Sequence, residues 1–312
     1  MAGATHTYWG ESGQSDVSQA EDVQDEVYII SPVDAPIAAM ARTIRATGKI
    51  HSWQEDSLNA AAANAQVEGV VASGDSQNPT VERTNWTQIM HKVAKVTGTL
   101  EAVDKYGRDS EMAYQLEHRY AELANDEEFA ICGSGLQAGT AGAVATARQM
   151  RCLTAQLDAS VKKDAVGLTA KTDLENKLLD AHEACYTAGG NPSYLFTSPS
   201  RARSLTILSR ASGRSRELRN DRTLVNVIDL YVSDFGELDV ILDRNLNSTD
   251  WIGLDPMFAA TPVLRPTRDW AIAKTGDFDQ RQILRESTFA VLNSKAHFAV
   301  QNVPAASALT GA

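Results

Sequence analysis

The sequence has few cysteines, no long apolar run and no leader-like start. Its three cysteines, at positions 132, 152 and 185, are widely spaced and form no C-x-x-C pair. This pattern supports neither a disulfide framework nor a zinc knuckle and fits a reducing compartment best. Residues 2–13 contain neither a basic start nor an apolar signal core, and no apolar stretch is long enough to span a membrane. We therefore expect a protein that is neither membrane-spanning nor secreted by the usual route.

Positive charge is also scarce. The chain has 29 Lys and Arg residues against 40 Asp and Glu residues, which gives a net charge of -11 at pH 7 and a pI of about 5.0. Such a balance argues against the phosphate-neutralising basic patches that nucleic-acid binding needs. With 43% hydrophobic and 22% charged residues, the composition is typical of a folded globular protein. The 312 residues suffice for one large domain or two ordinary ones.

Catalytic motifs are missing as well. The sequence contains no P-loop, no G-x-S-x-G elbow and no H-E-x-x-H, and its six histidines show no metal-ligand spacing. The glycines at 133, 135 and 139 follow a predicted helix instead of a strand, so a helix stop is the better interpretation than a dinucleotide site. The acidic clusters at 21–26 and 126–128 are interpreted as solvated faces and helix ends. We predict no catalytic, cofactor-binding or metal-binding residues.

The first third of the chain predicts protruding structure. Residues 1–20 are small and polar without periodicity, and Pro32 and Pro36 interrupt the segment that follows, which indicates an extended arm. Residues 47–58 and 85–103 suit strands. The 59–84 stretch between them is rich in Ala, Asn, Gly and Ser and too long for a hairpin loop inside a compact domain. We predict a two-stranded ribbon with a wide tip.

The rest of the chain alternates helices and antiparallel strands, which predicts an α+β class. The clearest helix covers 111–131, with apolar residues at three- and four-residue spacing. A capping box, Thr172-x-x-Glu175, predicts the start of a second long helix. The further predictions are a strand at 194–197, a helix from Ser198-Pro199 to about 212, and hairpins 225–232/238–242 and 283–292/296–303.

This order of elements resembles the major capsid proteins of tailed bacteriophages, whose Johnson fold is shared with encapsulins, and in particular one podovirus and siphovirus capsid family. The resemblance covers about 20–303. It is carried by Glu21-Asp22-x-x-Asp25, Ile30-Ser31-Pro32, Ala35-Pro36, 51–58 (HSWQEDSL), Glu68-Gly69, Arg83-x-Asn85-x-Thr87-Gln88-Ile89, Val96-Thr97-Gly98-Thr99, Gly107-Arg108, Glu111, Gln115, 273–277 (AKTGD) and Glu286-x-Thr288.

The resemblance implies a division of the chain into the parts of that fold. Residues 1–46 would be the N-terminal arm and 47–102 the extended loop, a β-hairpin. Residues 103–172 would begin the peripheral domain with its long spine helix, and 173–261 would form the axial domain. Residues 262–312 would return to the peripheral domain and end in a C-terminal tail.

The resemblance also implies a structural function without catalysis and without cofactors. The chain would assemble as hexamers and pentamers into an icosahedral shell that encloses double-stranded DNA without sequence-specific binding. A separate scaffold protein, a portal and a decoration protein would be its partners, with no membrane involved. It would be made in the bacterial host cytoplasm and reside in the virion. Some relatives crosslink their shells through a lysine in the extended loop, but 58–84 contain no lysine, so we expect no such crosslink.

Physical arguments point independently to contacts between subunits. A two-stranded ribbon with apolar groups on both faces is marginal alone in water and needs another molecule to cover it. An arm with several adjacent apolar residues likewise exposes a patch unless it lies across a neighbour. The candidate contacts are Trp53, Trp86 and Ile89 in the ribbon and Tyr28 and Ile30 in the arm. For each residue taken singly, packing within its own subunit is about as good an interpretation.

Three alternatives remain at the level of sequence. An encapsulin-type compartment is a close variant of the capsid hypothesis. A soluble α+β enzyme that uses scattered carboxylates and histidines is the alternative from another class, although no such residues converge. A tail or adaptor protein of the virion would share the need for contacts between subunits but would form rings or tubes.

Overall fold

The computed structural model describes residues 34–71, 74, 77–105, 107–133, 138–211 and 230–310. The helices are α1 (Pro36–Met40), α2 (Gly98–Ala102), α3 (Glu111–Cys132), α4 (Leu153–Gln156), α5 (Lys171–Thr187) and α6 (Pro199–Ala211), with 3-10 turns at Ala159–Val161, Pro256–Phe258 and Ala306–Ala308. The strands are β1 (Arg42–Arg45), β2 (Ile50–Glu55), β3 (Val81–Trp86), β4 (Gln88–Thr97), β5 (Lys162–Asp164), β6 (Tyr194–Thr197), β7 (Leu230–Ser233), β8 (Gly236–Leu242), β9 (Trp251–Leu254), β10 (Ala259–Ile272), β11 (Phe278–Ser287), β12 (Ala290–Val291) and β13 (Phe298–Gln301). None of these described helices is long and apolar enough to cross a bilayer.

A long sheet contains the strands β1, β10, β11 and β4 in that order, with β12 paired to the start of β10. β1 runs parallel to β10, and the other neighbours are antiparallel. Along β4, Met90 and Ala94 are buried whereas Ile89 and Val93 are exposed, the period-two pattern of a sheet covered on one face. Helix α3 covers that face, where Lys92 forms an ion pair with its Asp126 at 2.7 Å.

Helix α3 has clear signals at both ends. The Ser110 side chain accepts a hydrogen bond from the Ala113 backbone N–H, an N-cap that satisfies one of the free donors of the first turn. At the other end Gly133 adopts the left-handed conformation with φ of 52°, which a glycine reaches without the steric cost of a Cβ. The predicted spine helix is therefore confirmed, and it ends one residue later than expected.

A second, six-stranded sheet has the order β5-β13-β9-β6-β8-β7. Helix α5 packs against β13, and all four residues of β9 are buried, as in a strand covered on both faces. Gly253 in β9 lies against the ring of Phe298, and a Cβ at this position would stand 2.1 Å from that ring. The glycine is thus required by a close approach of strand and side chain. The strand β6, the helix α6 and the β7–β8 pairing agree with the sequence predictions, although 225–229 lie outside the described residues.

The two sheets share one hydrophobic core. A continuous cluster of buried side chains extends from Ile37 in α1 to Leu309 near the C-terminus and includes members of both sheets and of α3, α5 and α6. Its largest fully buried side chains include Trp251, Phe196 and Phe289. α1 and β1, which fall within the predicted arm of 1–46, belong to this body, and the extent of the arm stays a prediction.

The ribbon differs from the prediction in its second strand. β2 pairs with β3, from Ile50 opposite Trp86 to Glu55 opposite Val81, in a separate two-stranded sheet. The predicted second strand, 85–103, is a strand over most of its length, but its place in the ribbon is wrong, because the chain leaves the ribbon at Thr87, continues as β4 of the long sheet and becomes helical at Gly98. Ile89 therefore lies in the long sheet and not in the ribbon.

Three further predictions differ from the observed strand pairing and helix ends. The predicted hairpin 283–292/296–303 does not form, because β11 and β12 belong to the long sheet whereas β13 pairs with β9 and β5 in the other sheet. The proposed boundary between 261 and 262 falls inside β10. Helix α5 begins at Lys171 after an uncapped Ala170, so Thr172 is inside the helix and the capping box is not used.

Candidate assembly surfaces

The tip of the ribbon carries several strongly exposed apolar side chains. Between β2 and β3, the described residues of 56–80 carry no regular strand or helix and are all exposed. Leu58 is 96% exposed, Val71 83% and Val67 79%. Apolar side chains of this size are normally sheltered, and a cluster of them on a projection indicates a surface that contacts another molecule.

The base of the ribbon is attached to the body by a polar network. The Glu55 carboxylate accepts hydrogen bonds from the Ser294 backbone N–H at 2.9 Å and the Ser294 hydroxyl at 2.7 Å, and it pairs with Arg83 Nε at 2.8 Å. Burial acts to raise the pKa of Glu55, but the hydrogen bonds from Ser294 and Arg83 outweigh it and hold the pKa below its usual value. The network fixes where the ribbon leaves the body, while its tip stays uncovered.

Asn85 secures the junction between the ribbon and the long sheet. Its side-chain oxygen accepts from the Arg151 backbone N–H at 2.7 Å, and its Nδ2 donates to the carbonyls of Phe289 at 2.7 Å and Arg151 at 3.1 Å. Asn85 is fully buried. Because an amide has a limited set of donors and acceptors, these three bonds fix its orientation and hold the chain where it changes from one sheet to the other.

A buried carboxylate next to this junction binds two arginines. Glu286, in β11, contacts Arg148 through Oε1 and Arg265 Nε through Oε2 at 2.6 Å. The Thr87 hydroxyl donates to the same carboxylate at 2.9 Å. The carboxylate is almost fully buried, so its charge requires these partners. Two cations on one anion leave a local excess of positive charge on this face of an acidic protein.

The face of the long sheet opposite α3, here called the outer sheet face, carries exposed apolar side chains among polar ones. It carries the exposed side chains Ile89 and Val93 of β4 and Trp270 of β10. Beside Trp270 lies an open cavity of about 330 Å³, which is lined by Leu264, Arg265, Pro266, Arg268, Trp270 and Leu284. The outer sheet face thus combines exposed apolar groups with arginines.

The chain enters the body through a buried polar cluster, here called the arm root. Glu128 of α3 accepts hydrogen bonds from the backbone N–H groups of Ile37 at 2.9 Å and Ala38 at 2.8 Å, at the start of α1. Burial, together with the nearby Asp243, raises the pKa of Glu128 to about 7 against the effect of those hydrogen bonds. Glu128 and its neighbour Glu127 are buried, so the prediction that 126–128 form a solvated face is wrong for these two residues.

Three residues of the arm root also have ligand-type atoms close together. A carboxylate oxygen of Glu128, the Sγ of Cys132 and a carboxylate oxygen of Asp243 all lie within 4.8 Å of one another. Among the described residues this is the one group of three or more His, Cys, Asp or Glu side chains that lie so close together. The Cys132 thiol donates to Asp243 at 3.2 Å, and burial raises the pKa of this thiol well above its usual value. The hydrogen bonds within this cluster and to α1 hold the arm root.

Comparison with known proteins identifies the family. A family model described as SU10 major capsid protein matches residues 5–304. The chain belongs to this capsid protein family. The major capsid protein of Escherichia phage Phieco32 is 38% identical over 103 residues, which are 33% of this chain and 29% of that relative. The chain therefore matches less than a third of the length of this curated relative.

Solved structures place the capsid-family chain in the predicted α+β fold. A chain of the capsid asymmetric unit of cyanophage A-1(L) matches with a TM-score of 0.65 at 12% identity. The match covers 91% of this chain and 97% of the cyanophage chain. An encapsulin complex from Synechococcus elongatus has a TM-score of 0.59 at 10% identity, with 95% of each chain covered. The resemblance to the tailed-phage capsid fold is thus confirmed, and the encapsulin variant shares the fold alone.

The structure separates the contact residues that the sequence predicts for this capsid-family chain. Trp53 is half-buried on the ribbon, and Trp86 is half-buried at the junction. Ile89 is exposed on the outer sheet face. Tyr28 and Ile30 lie outside the described residues. The geometry does not bring these residues into one patch, and their part in subunit contacts stays a prediction.

Sequence reasoning missed the exposed apolar residues of the ribbon tip. Leu58, Val67 and Val71 lie in a stretch of small polar residues, where isolated apolar side chains were the available signal. The cavity beside Trp270 gave no local signal, because its lining residues come from both β10 and β11. A pairing register between two strands has to be known before such a site can be recognised.

Proposed function

We propose that this chain is the major subunit of the icosahedral shell that encloses the double-stranded DNA genome of a tailed bacteriophage, and that it assembles with identical copies as hexamers and pentamers. The observation that carries the proposal is the ribbon, which is rigidly attached at Glu55 and Asn85 yet presents fully exposed apolar side chains at its tip. Membership of a major capsid protein family supports it.

The energetics of the ribbon favour contacts between subunits. An isolated two-stranded sheet is marginally stable in water, and this ribbon pairs over six residues only. The Trp53 indole N–H is buried without a hydrogen-bond acceptor among the described residues. A neighbouring subunit that covers the ribbon would shelter its apolar tip, and burial of apolar area contributes roughly 25 cal/mol per Å². We include Trp53, Trp86, Ile89, Tyr28 and Ile30 among the proposed contacts.

We assign the two sheets to the two domains of the capsid fold. The long sheet with α3 is the proposed peripheral domain, and the six-stranded sheet with α5 and α6 is the proposed axial domain. Strand pairing supports this division better than the sequence boundaries do, because β5 and β13 join the six-stranded sheet and β1 joins the long sheet. The ribbon is the proposed extended loop, and the residues before 34 are the proposed arm.

The proposed role is structural, with no enzymatic activity. The shell would enclose DNA without sequence-specific binding, and the net charge of -11 supports this because an acidic wall repels phosphates where screening is incomplete. Family membership alone supports the remaining parts of the proposal, which are synthesis in the host cytoplasm, residence in the virion, a separate scaffold protein, a portal and a decoration protein. An encapsulin-type compartment is the second candidate, supported by the shared fold.

Electron microscopy of purified particles tests the proposal. The chain is expressed with and without the other structural proteins of its genome, and assemblies are separated by sedimentation. Closed icosahedral shells with hexameric and pentameric capsomers are expected, and shells isolated from infected cells are expected to contain DNA. Small monodisperse particles would contradict the shell function. Shells that hold a cargo protein and never DNA would favour the encapsulin-type compartment.

A further inference from the structure

The cavity on the outer sheet face combines apolar walls with more positive charge than the one carboxylate beside it, Glu286, neutralises. Arg268 is exposed and forms no ion pair with a described carboxylate. Arg265 shares Glu286 with Arg148, so one carboxylate faces two guanidinium groups. Leu264, Trp270 and Leu284 provide the apolar walls. A ligand that suits this cavity carries both carboxylates and large apolar side chains.

The residues before 34 have that chemistry. Residues 1–33 contain no Lys and no Arg, and their acidic residues are Glu11, Asp16, Glu21, Asp22, Asp25 and Glu26. Four of these acidic residues fall within 21–26, directly before the apolar run Val27-Tyr28-Ile29-Ile30. Acidic and apolar groups are therefore adjacent in this segment, as arginines and apolar walls are adjacent in the cavity.

We propose that residues 21–30 of a second copy of the chain bind the cavity on the outer sheet face, with carboxylates of 21–26 near Arg265 and Arg268 and apolar side chains of 27–30 against Trp270 and Leu284. The inference rests on the proposed shell function and specifies which surface receives the arm. In this arrangement residues 21–30 of one copy cover part of the outer sheet face of another, which the described residues leave exposed.

The position of the arm root favours a second copy over the same chain. The Asp34 backbone N–H donates to Asn125 of α3 at 3.0 Å, and the Ile37 N–H donates to Glu128. These contacts place the start of the described chain on the α3 side of the long sheet. The cavity lies on the opposite side of that sheet. An arm that entered its own cavity would have to turn around the sheet edge, whereas the cavity of an adjacent copy needs no such reversal.

The ribbon tip of a second copy is the competing occupant. Its residues 56–80 are also acidic, with Asp56, Glu68 and Asp75 and no Lys or Arg. However, these three acidic residues are spread over the 20 positions from 56 to 75, whereas 21–30 place four carboxylates beside four consecutive apolar side chains. The density of charge and apolar area therefore favours the arm segment.

Disulfide crosslinking tests the inference. The native cysteines are buried, so they leave engineered pairs as the reactive thiols. A Tyr28→Cys chain and a Gln282→Cys chain are mixed before assembly, because Gln282 pairs with Trp270 at the cavity and its replacement spares the apolar walls. After mild oxidation of the assembled particles, a covalent heterodimer is expected on a denaturing gel. A chain that carries both Tyr28→Cys and Gln282→Cys shows whether the two residues also meet within one copy, because a crosslink within one chain leaves the protein at the size of a monomer on the gel.

The outcomes distinguish this inference from the shell function. Shells without the Tyr28–Gln282 heterodimer would overturn the inference and leave the shell function standing. Shells in which Val71→Cys on the ribbon tip crosslinks to Gln282→Cys, and Tyr28→Cys does not, would assign the cavity to the ribbon. Intramolecular crosslinks alone would exclude the second copy. Absence of both shells and crosslinks would overturn both proposals.

Charge reversal provides the second test. Arg268→Glu is expected to slow formation of the heterodimer about tenfold, because one attractive charge contact becomes repulsive. A compensating Glu26→Arg in the arm chain is expected to restore most of the rate. Arg203→Glu, an exposed arginine of α6 with no ion pair among the described residues, is the matched control and is expected to leave the rate unchanged. An Arg268→Glu variant with the wild-type rate would contradict the inference.

Discussion

Glu128 makes the stability of the arm root depend on pH. Burial and the adjacent Asp243 raise its pKa from the usual 4.5 to about 7, and Cys132 and Asp34 are the other titratable groups near this pair. The folded state therefore keeps a proton that the unfolded state loses. Below pH 4.5 both states are protonated and this group causes no loss of stability. As the pH rises towards 7, unfolding becomes progressively easier, by up to about 3 kcal/mol.

The Glu128→Gln variant tests this dependence. Glutamine mimics the protonated acid, so the fall in unfolding temperature between pH 5 and pH 7.5 is expected to be smaller in the variant than in the wild type. Asp243, whose pKa burial also raises, is expected to retain part of the fall. Glu117→Gln, at an exposed position of the same helix, is the control. Equal pH profiles for Glu128→Gln and wild type would show that Glu128 is ionised across this range.

Neutralising the carboxylate of Glu286 is expected to destabilise the fold far more than neutralising that of Asp279. The Glu286 carboxylate is 5% exposed and holds Arg148 and Arg265, whereas the Lys274–Asp279 pair is more than half exposed on both sides. Removing one partner of a buried pair leaves an uncompensated charge, and exposed pairs contribute little. Since Arg265 is half-exposed, we expect Glu286→Gln to lower the free energy of unfolding by about 2 kcal/mol, whereas Asp279→Asn is expected to leave it almost unchanged.

Chemical denaturation of both variants measures this difference. Equal losses of unfolding free energy would mean that water already solvates the arginines around Glu286.

The burial of such carboxylates could not be predicted from sequence. Glu127 and Glu128 follow Asp126 in what looks like a charged helix end, yet Arg285 and Ser287 from β11 reach Glu127, and the start of α1 reaches Glu128. Partners that are 90 or more positions away decide the environment of each residue.

At the scale of elements, local signals predicted helices better than strand partners. Caps and periodicity are properties of a few adjacent residues, so α3 and α6 could be located from the sequence. The two strands β3 and β4 are separated by Thr87 alone, and their residue types are similar. What separates them is that β3 pairs with β2 while β4 pairs with β11, almost two hundred positions away. The predicted turn at 293–295 likewise exists without a hairpin, because β12 and β13 pair elsewhere.

The attachment of the ribbon gives a prediction at this scale. Glu55→Ala removes the acceptor for both Ser294 donors and the partner of Arg83. We expect faster amide hydrogen exchange in β2 and β3, with a loss of about 1 to 2 kcal/mol in the local opening free energy. Gln54→Ala, at the adjacent exposed position, is the control and is expected to leave exchange unchanged.

The body outside the ribbon is expected to keep its exchange rates in Glu55→Ala, because the shared core contains no ribbon residue from 50–86. Faster exchange throughout the long sheet would mean that the ribbon and the body open as one unit. Unchanged exchange in β2 and β3 would mean that backbone pairing alone holds the ribbon, and that the polar network at its base contributes nothing to its position.

At the scale of the whole molecule, one continuous core is combined with projections that the core does not cover. The core accounts for folding of the subunit, and the ribbon tip and the outer sheet face account for the need for neighbours. The sequence predicted this combination because the long polar stretch and the short strands around it cannot form a core of their own. It could not predict which surfaces meet, since that depends on the arrangement of copies around each subunit.

Removal of the apolar groups at the ribbon tip separates folding from assembly. In a Leu58→Ser, Val70→Ser, Val71→Ser triple variant, the unfolding temperature of the isolated subunit is expected to stay within about 2 °C of wild type, because these side chains are exposed and contribute little to the fold. Assembly is expected to fall at least about tenfold in yield of sedimenting shells, since the apolar area that a neighbour would bury is lost. The Asn64→Ser, Gln66→Ser variant changes polar groups of the same tip and is expected to assemble normally. Wild-type shell yield in the triple variant would mean that the tip stays in water in the assembled particle, and that the apolar contacts between subunits are made by the outer sheet face instead.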